Sequence, residues 1–181
     1  MKHMRARRFQ TRDIQKLVKA GTIVKVKPGV YRLANLQIGE SNGPVEVCLA
    51  IPKAVICLTS ALAFHELTTF IPKAITYAIP RSDKPIKLSY PPTESYYFSQ
   101  TQYKAGTEHH ETKAGNIRIY SIEKTICDCF RFRNKLGEDI AIEGLKTYFR
   151  GKDWNINKLM KFAEICRVKG IITQYVKAIA G

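Results

Sequence analysis

The stretch TRDIQKLVKAGTIVKVKPGVYRL, residues 11–33, decides how the fold of this chain begins. Its first half places Ile14, Leu17 and Val18 at the i, i+3, i+4 spacing of one apolar helix face. Gly21 follows the last of these positions and is expected to end the helix, because glycine readily takes the left-handed conformation found after helix C-termini. The pattern therefore predicts a short amphipathic helix.

The opposite face of this helix is predicted to be cationic. It carries three cations and one amide at the spacing i, i+3, i+4, i+7, namely Arg12, Gln15, Lys16 and Lys19. Thr11 is a favourable N-cap residue and adjoins this face. Such a surface suits phosphate groups, and Arg and Gln side chains can also hydrogen-bond to base edges.

A hairpin is predicted directly after the helix. Thr22–Val26 and Val30–Leu33 are β-rich runs on either side of a Lys-Pro-Gly turn. Met4–Phe9 is expected to form a short preceding helix. This order is typical of a winged helix-turn-helix, in which the second paired helix enters the major groove. The predicted DNA-binding set is Thr11, Arg12, Gln15, Lys16, Lys19, Lys25, Lys27 and Arg32.

The charge distribution favours a polyanionic partner for the N-terminal part. The chain has 181 residues and a formal net charge of +15. Residues 1–37 hold ten basic residues and one acid, Asp13, whereas the rest holds 20 basic and 14 acidic residues. A solvated basic face without a ligand is the alternative interpretation, but the cations here fall on a recognisable helix and hairpin.

The remaining chain is predicted to be α+β. We expect a boundary at the polar linker Leu36–Gly43, which divides the chain into domains 1–36 and 37–181. The expected strands are Lys53–Cys57, Ala74–Ile79, Ile86–Tyr90, Tyr96–Ser99, Glu108–Thr112 and Asn116–Tyr120. The expected helices are Pro44–Ile51, Thr59–Leu67 with Thr59 or Ser60 as cap, Ile122–Arg133, Glu138–Phe149, Ile156–Val168 and Ile171–Ala180.

Composition predicts a cytoplasmic protein without a membrane span. The longest uncharged stretch, Ala54–His65, has twelve residues, fewer than the roughly 20 that cross a bilayer. Five cysteines without zinc-finger spacing are expected to be ordinary buried thiols. We expect no cofactor and no metal.

Residues 9–33, FQTRDIQKLVKAGTIVKVKPGVYRL, resemble the winged helix at the start of AbiEi-type abortive-infection antitoxins. Two later segments are also similar to that family: LTSALAFHELTTFIPKAITYAIPR at residues 58–81 and SIEKTICDCF at residues 121–130. Lys27 and Pro28 stand where many members have an arginine before the glycine. A complete winged helix has a further N-terminal helix, which we expect to be missing from this chain.

The resemblance implies an antitoxin that represses its own operon and counteracts a co-expressed nucleotidyltransferase-like toxin. The implied partners are operator DNA and that toxin. The SIEKTICD signature has two interpretations, a toxin-neutralising surface formed by Ser121, Glu123, Lys124 and Asp128, or a well-capped structural helix. A plain winged-helix regulator without a toxin is the alternative function.

A metal-dependent nuclease is the alternative from a different class. Asp83, Glu111 and Lys113 have the outline of two Mg²⁺-binding carboxylates and a lysine beside the attacked phosphate. Asp83, however, lies in a proline-flanked turn, and Lys113 lies at a predicted hairpin tip. The adjacent His109 and His110 are expected to point to opposite faces of a strand, and His65 to be a satisfied, half-buried histidine. We therefore predict no catalytic residues.

Overall fold

A computed structural model describes residues 10–27, 29–34 and 42–180 of the chain. The N-terminal part contains helix α1 (Thr11–Lys19) and the antiparallel strands β1 (Ile23–Lys27) and β2 (Val30–Leu33). The predicted helix and hairpin are thus confirmed. The expected helix Met4–Phe9 and most of the expected linker lie outside the described residues.

A mixed sheet and a set of helices form the larger part of the structure. The elements are, in order, α2 (Asn42–Ala50), β3 (Val55–Ile56), α3 (Leu58–Phe64), β4 (Ile75–Pro80), β5 (Thr93–Phe98), α4 (Gln100–Lys104), β6 (Thr107–Thr112), β7 (Gly115–Tyr120), α5 (Ile122–Arg131), α6 (Arg133–Leu136), α7 (Glu138–Arg150), α8 (Ile156–Ile165) and α9 (Lys169–Ala180). This content confirms the α+β class.

The five strands of the larger sheet lie in the order β5-β4-β3-β7-β6. β3 pairs antiparallel with β4 and parallel with β7. β4 and β5 are parallel, whereas β6 and β7 form an antiparallel hairpin. The carboxyl ends of β4 and β5 therefore meet at one edge of the sheet.

Strand alternation divides the core into two clusters, one on each face of the sheet. On β7, Ile117 and Ile119 pack into one cluster and Tyr120 into the other. On β4, Tyr77 and Ile79 likewise belong to one cluster and Ala78 to the other. This separation follows from the period of two in a strand, which sends successive side chains to opposite faces. The C-terminal helices cover one face, and α2 supplies residues to the other cluster.

Helix α5 lies at the centre of the helical layer. Every residue from Glu123 to Phe130 is buried. The helix packs against α3, α7 and α8. A helix buried on all sides belongs to the core of the protein, whatever the polarity of its sequence.

One predicted strand and one predicted helix cap were wrong. The segment Ile86–Tyr90 is not a strand; the Ser89 hydroxyl instead donates to the carbonyl of Lys25 in β1, at 3.3 Å. The short helices α4 and α6 were not predicted. Neither Thr59 nor Ser60 caps α3, because the helix already begins at Leu58 and Cys57 occupies the N-cap position. Both side chains instead bond to the β4 region, and Thr76 Oγ1 accepts from the Ser60 amide at 3.1 Å.

Candidate nucleic-acid interface and the buried polar helix

Helix α1 presents the predicted cationic face to solvent. Its apolar side is anchored by Ile14, which is 5% exposed, and by the half-buried Leu17. The five predicted DNA-binding residues of the helix are all exposed, namely Thr11, Arg12, Gln15, Lys16 and Lys19. Within the described part of the chain, none of its three cations forms an ion pair. These side chains are therefore available to a polyanion.

The ends of α1 are fixed by local hydrogen bonds. Gln10, not Thr11, occupies the N-cap position, and its amide donates to Asp13 Oδ2 at 3.2 Å. The Thr11 cap prediction is therefore wrong, because the extended residue that precedes the helix lies one position earlier. At the other end Gly21 has a φ of 68°, and the Thr22 amide donates to the Leu17 carbonyl at 3.0 Å. This geometry confirms that Gly21 ends the helix.

The hairpin follows α1 directly and carries the remaining predicted cations. Lys25 pairs with Tyr31 across the strands and is exposed. Lys27 pairs with Val30, and Arg32 pairs with Val24. The side chains of Lys27 and Arg32 lie outside the described part of the structure. The hairpin turn uses Gly29, with a φ of 84°, a conformation that glycine adopts without steric cost.

The four residues predicted as a toxin-neutralising surface do not form a surface. They are nearly inaccessible, with exposed fractions of 1% for Ser121, 5% for Glu123 and 0% for both Lys124 and Asp128. The prediction that these four residues form an accessible surface is wrong, because neighbouring helices and the sheet enclose α5 on every side. The alternative interpretation fits the geometry, since Ser121 Oγ accepts from the Lys124 amide at 3.4 Å as an N-cap.

Lys124 and Asp128 form a fully buried ion pair one helical turn apart. The Lys124 ammonium also lies 4.2 Å from the ring centroid of Tyr120 and 4.9 Å from that of Phe98. Cys166 Sγ donates to the second oxygen of Asp128 at 3.2 Å. Burial raises the pKa of the Asp128 carboxyl, and the Lys124 ammonium opposes that shift. The pair thus links α5 to the end of α8.

Glu123 belongs to a second polar group at the start of α5. Tyr148 donates its hydroxyl to Glu123 Oε1 at 3.2 Å, and Lys158 Nζ lies 2.9 Å from Glu123 Oε2. The Tyr148 hydroxyl also accepts from the Asn155 amide at 2.6 Å. These contacts connect α5 to α7 and to the beginning of α8, so the role of Glu123 is structural.

The residues of the nuclease alternative do not converge. Asp83 follows β4 and pairs with Lys53 at 2.8 Å, whereas Glu111 lies on β6 and Lys113 lies in the β6–β7 turn. Strands β3 and β7 lie between β4 and β6. β4 and β6 are therefore three strand spacings apart, which is about 14 Å across the sheet. Two carboxylates that bind one Mg²⁺ ion must both approach it to about 2.1 Å. Asp83 and Glu111 therefore cannot share a metal ion.

The histidines lie as their spacing predicted. His109 is exposed, and His110 packs on the other side of β6, with its ring centroid 5.4 Å from that of Phe64. His65 is half-buried, and its Nε2 is 2.8 Å from the Tyr120 carbonyl oxygen. Burial lowers the pKa of His65. Among the described residues, no group of three or more His, Cys, Asp or Glu side chains is arranged to hold a metal ion.

The buried polar residues were only partly visible in the sequence. The i, i+4 spacing indicated the Lys124–Asp128 pair, but nothing local to α5 indicated its burial. Cys166 lies 38 residues from Asp128, so the spacing of residues in the sequence could not predict their contact. Four of the five cysteines are buried as predicted, while Cys48 is partly exposed, and all five are free thiols.

Compared with models of known protein families and with curated protein sequences, the chain matches none. In the parts of the chain that the structure describes, no helix has both the length and the apolar character needed to cross a bilayer.

Proposed function

We propose that this chain is the antitoxin of an abortive-infection toxin–antitoxin system and that it binds its own promoter as a transcriptional autorepressor. The observation that carries the proposal is the exposed face of α1, where three cations without an ion pair in the described part of the chain and Gln15 lie opposite the side that buries Ile14. In this proposal α1 is the reading helix of a winged helix-turn-helix, and the hairpin is its wing.

The proposed DNA contacts divide by chemistry. Lys16, Lys19 and Lys25 neutralise phosphates, which supplies most of the affinity and makes it dependent on salt. Arg12 and Gln15 lie on the same face and have side chains that form paired hydrogen bonds with guanine and adenine, respectively. Cationic and amide side chains on one helix thus provide both positioning and sequence reading.

The antitoxin half of the proposal is supported by the resemblance of residues 9–33, 58–81 and 121–130 to AbiEi-type proteins. Burial of Ser121–Asp128 assigns the third segment to the core of the fold. Neutralisation, whether by contact with the toxin, by modification of it or by protection of its target, is therefore assigned in this proposal to other residues of the α+β part. The neighbouring gene distinguishes this proposal from a plain regulator: a nucleotidyltransferase-like reading frame next to the gene of this chain would support the antitoxin, and its absence would favour the regulator.

The DNA-binding proposal is tested by a Lys16→Ala, Lys19→Ala double variant. We expect weaker binding to promoter DNA and a plot of log affinity against log salt concentration that is shallower by about two units, because two fewer counterions are released. Fluorescence anisotropy at several salt concentrations measures both quantities. A Lys113→Ala, Lys152→Ala variant removes the same charge from exposed positions elsewhere and serves as the matched control.

The control variant is expected to retain the salt dependence of the unmodified protein. Equal affinity and equal slope in the Lys16→Ala, Lys19→Ala variant would contradict the assignment of α1 as the DNA-contacting helix. Equal losses in both double variants would indicate that only net charge matters.

A further inference from the structure

A cavity of about 580 Å³ opens at the carboxyl ends of the parallel strands β4 and β5. Arg81 follows β4 and Ser99 follows β5, and both line this cavity. The opposite wall consists of the end of α5 and the connection between α8 and α9. The crevice at the carboxyl ends of parallel strands is a common position for ligands in open sheets.

The cavity is strongly cationic. Four arginines line it, from three separate regions of the chain: Arg81, Arg131, Arg133 and Arg167. Among the described residues that line it, none carries a carboxylate. The side chains of Arg81 and Arg167 are exposed and form no ion pair within the described ranges. Arg133 has one acidic neighbour, Glu138, with Nε and Oε1 separated by 3.5 Å.

The Arg131 side chain is fixed by a hydrogen bond to a buried residue. Its guanidinium donates to the side-chain oxygen of Gln102, a residue that is only 5% exposed. Gln102 in turn donates to the Ile165 carbonyl at 3.1 Å. The guanidinium also lies 5.6 Å from the ring centroid of Phe98. Since a guanidinium has five N–H groups, donors remain for a ligand.

Arg167 occupies a backbone position that normally favours glycine. It has a φ of 61° at the end of α8, and the next amide, of Val168, donates to the Ala163 carbonyl at 2.8 Å. This is the helix-ending motif in which glycine avoids the steric cost of the left-handed conformation. An arginine there bears that cost, and its side chain lies at the cavity.

We propose that this cavity binds the phosphate groups of a nucleoside phosphate. Guanidinium groups recognise phosphate oxygens through paired hydrogen bonds, and several of them around one cavity match a polyphosphate. The cavity volume lies in the range of small-molecule sites. Ile165, Val168 and Ile171 supply an apolar wall for the base. The site shares no residue with α1 or the hairpin, so separate variants can test it and the proposed DNA-binding face.

The test is isothermal titration calorimetry of the full chain with ATP, tripolyphosphate and adenosine, at about 0.15 M salt to screen weak surface attraction. ATP and tripolyphosphate are expected to bind and to compete, whereas adenosine alone binds more weakly. The test variant is Arg81→Gln, Arg167→Gly. It removes two guanidinium groups and also relieves the backbone at residue 167, so it is expected to fold.

Loss of the two arginines is expected to weaken ATP binding about tenfold or more, since each hydrogen bond to a charged group contributes that much. Glu66→Gly is the matched control, because Glu66 also has a positive φ, of 57°, after helix α3. The Lys16→Ala, Lys19→Ala variant controls for the DNA face. Both controls are expected to bind ATP like the unmodified protein.

Three outcomes would overturn the proposal. The first is that neither ATP nor tripolyphosphate binds at millimolar concentration. The second is that ATP binds equally well to the Arg81→Gln, Arg167→Gly variant. The third is that only single-stranded or duplex nucleic acid binds in a manner that depends on these arginines, which would assign the cavity to a nucleic-acid backbone.

Discussion

Lys124 and Asp128 are two charged residues in the core of this structure. Both side chains are fully inaccessible, and they carry opposite charges one helical turn apart. Removing two ions from water costs several kcal/mol per ion, which only close pairing and further hydrogen bonds offset. The Cys166 thiol and the Tyr120 and Phe98 rings supply these additional contacts.

Replacing Asp128 by Ala is expected to lower the free energy of unfolding by about 3–5 kcal/mol, because an unpaired ammonium is left in the core. A Lys124→Met, Asp128→Leu variant should recover most of this loss, since neither charge then remains buried. Urea denaturation followed by circular dichroism measures both changes. A loss below about 1 kcal/mol for Asp128→Ala, a value typical of surface pairs, would contradict the buried pairing.

His65 is expected to make folding sensitive to acid. Burial lowers its pKa, and the neutral ring can donate from Nε2 to the Tyr120 carbonyl. Below the ordinary pKa of about 6.5 the unfolded chain gains a proton that the folded chain does not. The free energy of unfolding therefore falls as the pH falls, by at most about 1.4 kcal/mol per pH unit from this group. His110, Glu108 and Glu123 are the titratable groups that influence it.

A His65→Gln variant is expected to reduce this dependence, because the amide can keep the hydrogen bond without titrating. Unfolding by urea at a series of pH values between about 5 and 8 gives the slope for each protein. His109→Gln is the control. His109 lies next to His110 on β6, but it is exposed on the other side of that strand. Parallel pH profiles for the unmodified and His65→Gln proteins would contradict the prediction.

At the scale of elements, α1 and α5 show how differently polar helices can be placed. α1 buries only Ile14 and exposes its cations. α5 contains Glu123, Lys124 and Asp128 and is nevertheless buried on every side. The difference arises from the surroundings, because α5 lies between α3, α7 and α8, whereas α1, in the described part of the chain, packs against strand β1 of the hairpin.

The β6–β7 hairpin gives a prediction at this scale. We expect Glu111→Ala to leave promoter binding and antitoxin activity intact, because Glu111 is exposed and about 14 Å from the β4 edge that leads to Asp83. The purified protein is expected to show no Mg²⁺-dependent cleavage of DNA or RNA in a gel assay. Cleavage that disappears in Glu111→Ala would instead support the nuclease.

For the whole molecule, both core clusters are built almost entirely from residues after the hairpin. The described hairpin contributes Val30 to one of them and the Lys25 carbonyl to a contact with Ser89. The α+β part therefore retains nearly all of its buried apolar residues when the N-terminal part is removed. We therefore expect this part to fold by itself.

A fragment of residues 42–181 is accordingly expected to relieve toxicity in cells without repressing the operon. The proposed DNA-contacting helix and hairpin are absent from it, whereas the proposed antitoxin part is retained. Co-expression with the proposed nucleotidyltransferase-like toxin, with a promoter reporter in parallel, measures both activities. Growth arrest in the presence of a folded fragment would mean that the N-terminal part takes part in neutralisation.

The local features of this protein follow from short stretches of its sequence. The two faces of α1, its end at Gly21, the hairpin and the cap at Ser121 all depend on residues within about one helical turn or one β-turn of each other. Side-chain periodicity and backbone preference act over that range, so they can be read from neighbouring residues. Even here the cap of α1 was displaced by one residue.

Which polar residues are buried, and which cations lie together, depends instead on contacts between distant parts of the chain. The signature Ser121–Asp128 has the polarity of a surface helix, and only its enclosure by other elements buries it. Arg81, Arg131 and Arg167 line one cavity, although about 86 residues separate the first from the last. Such contacts depend on strand order and helix packing, which arise from burial of the whole chain and not from the spacing of the residues concerned.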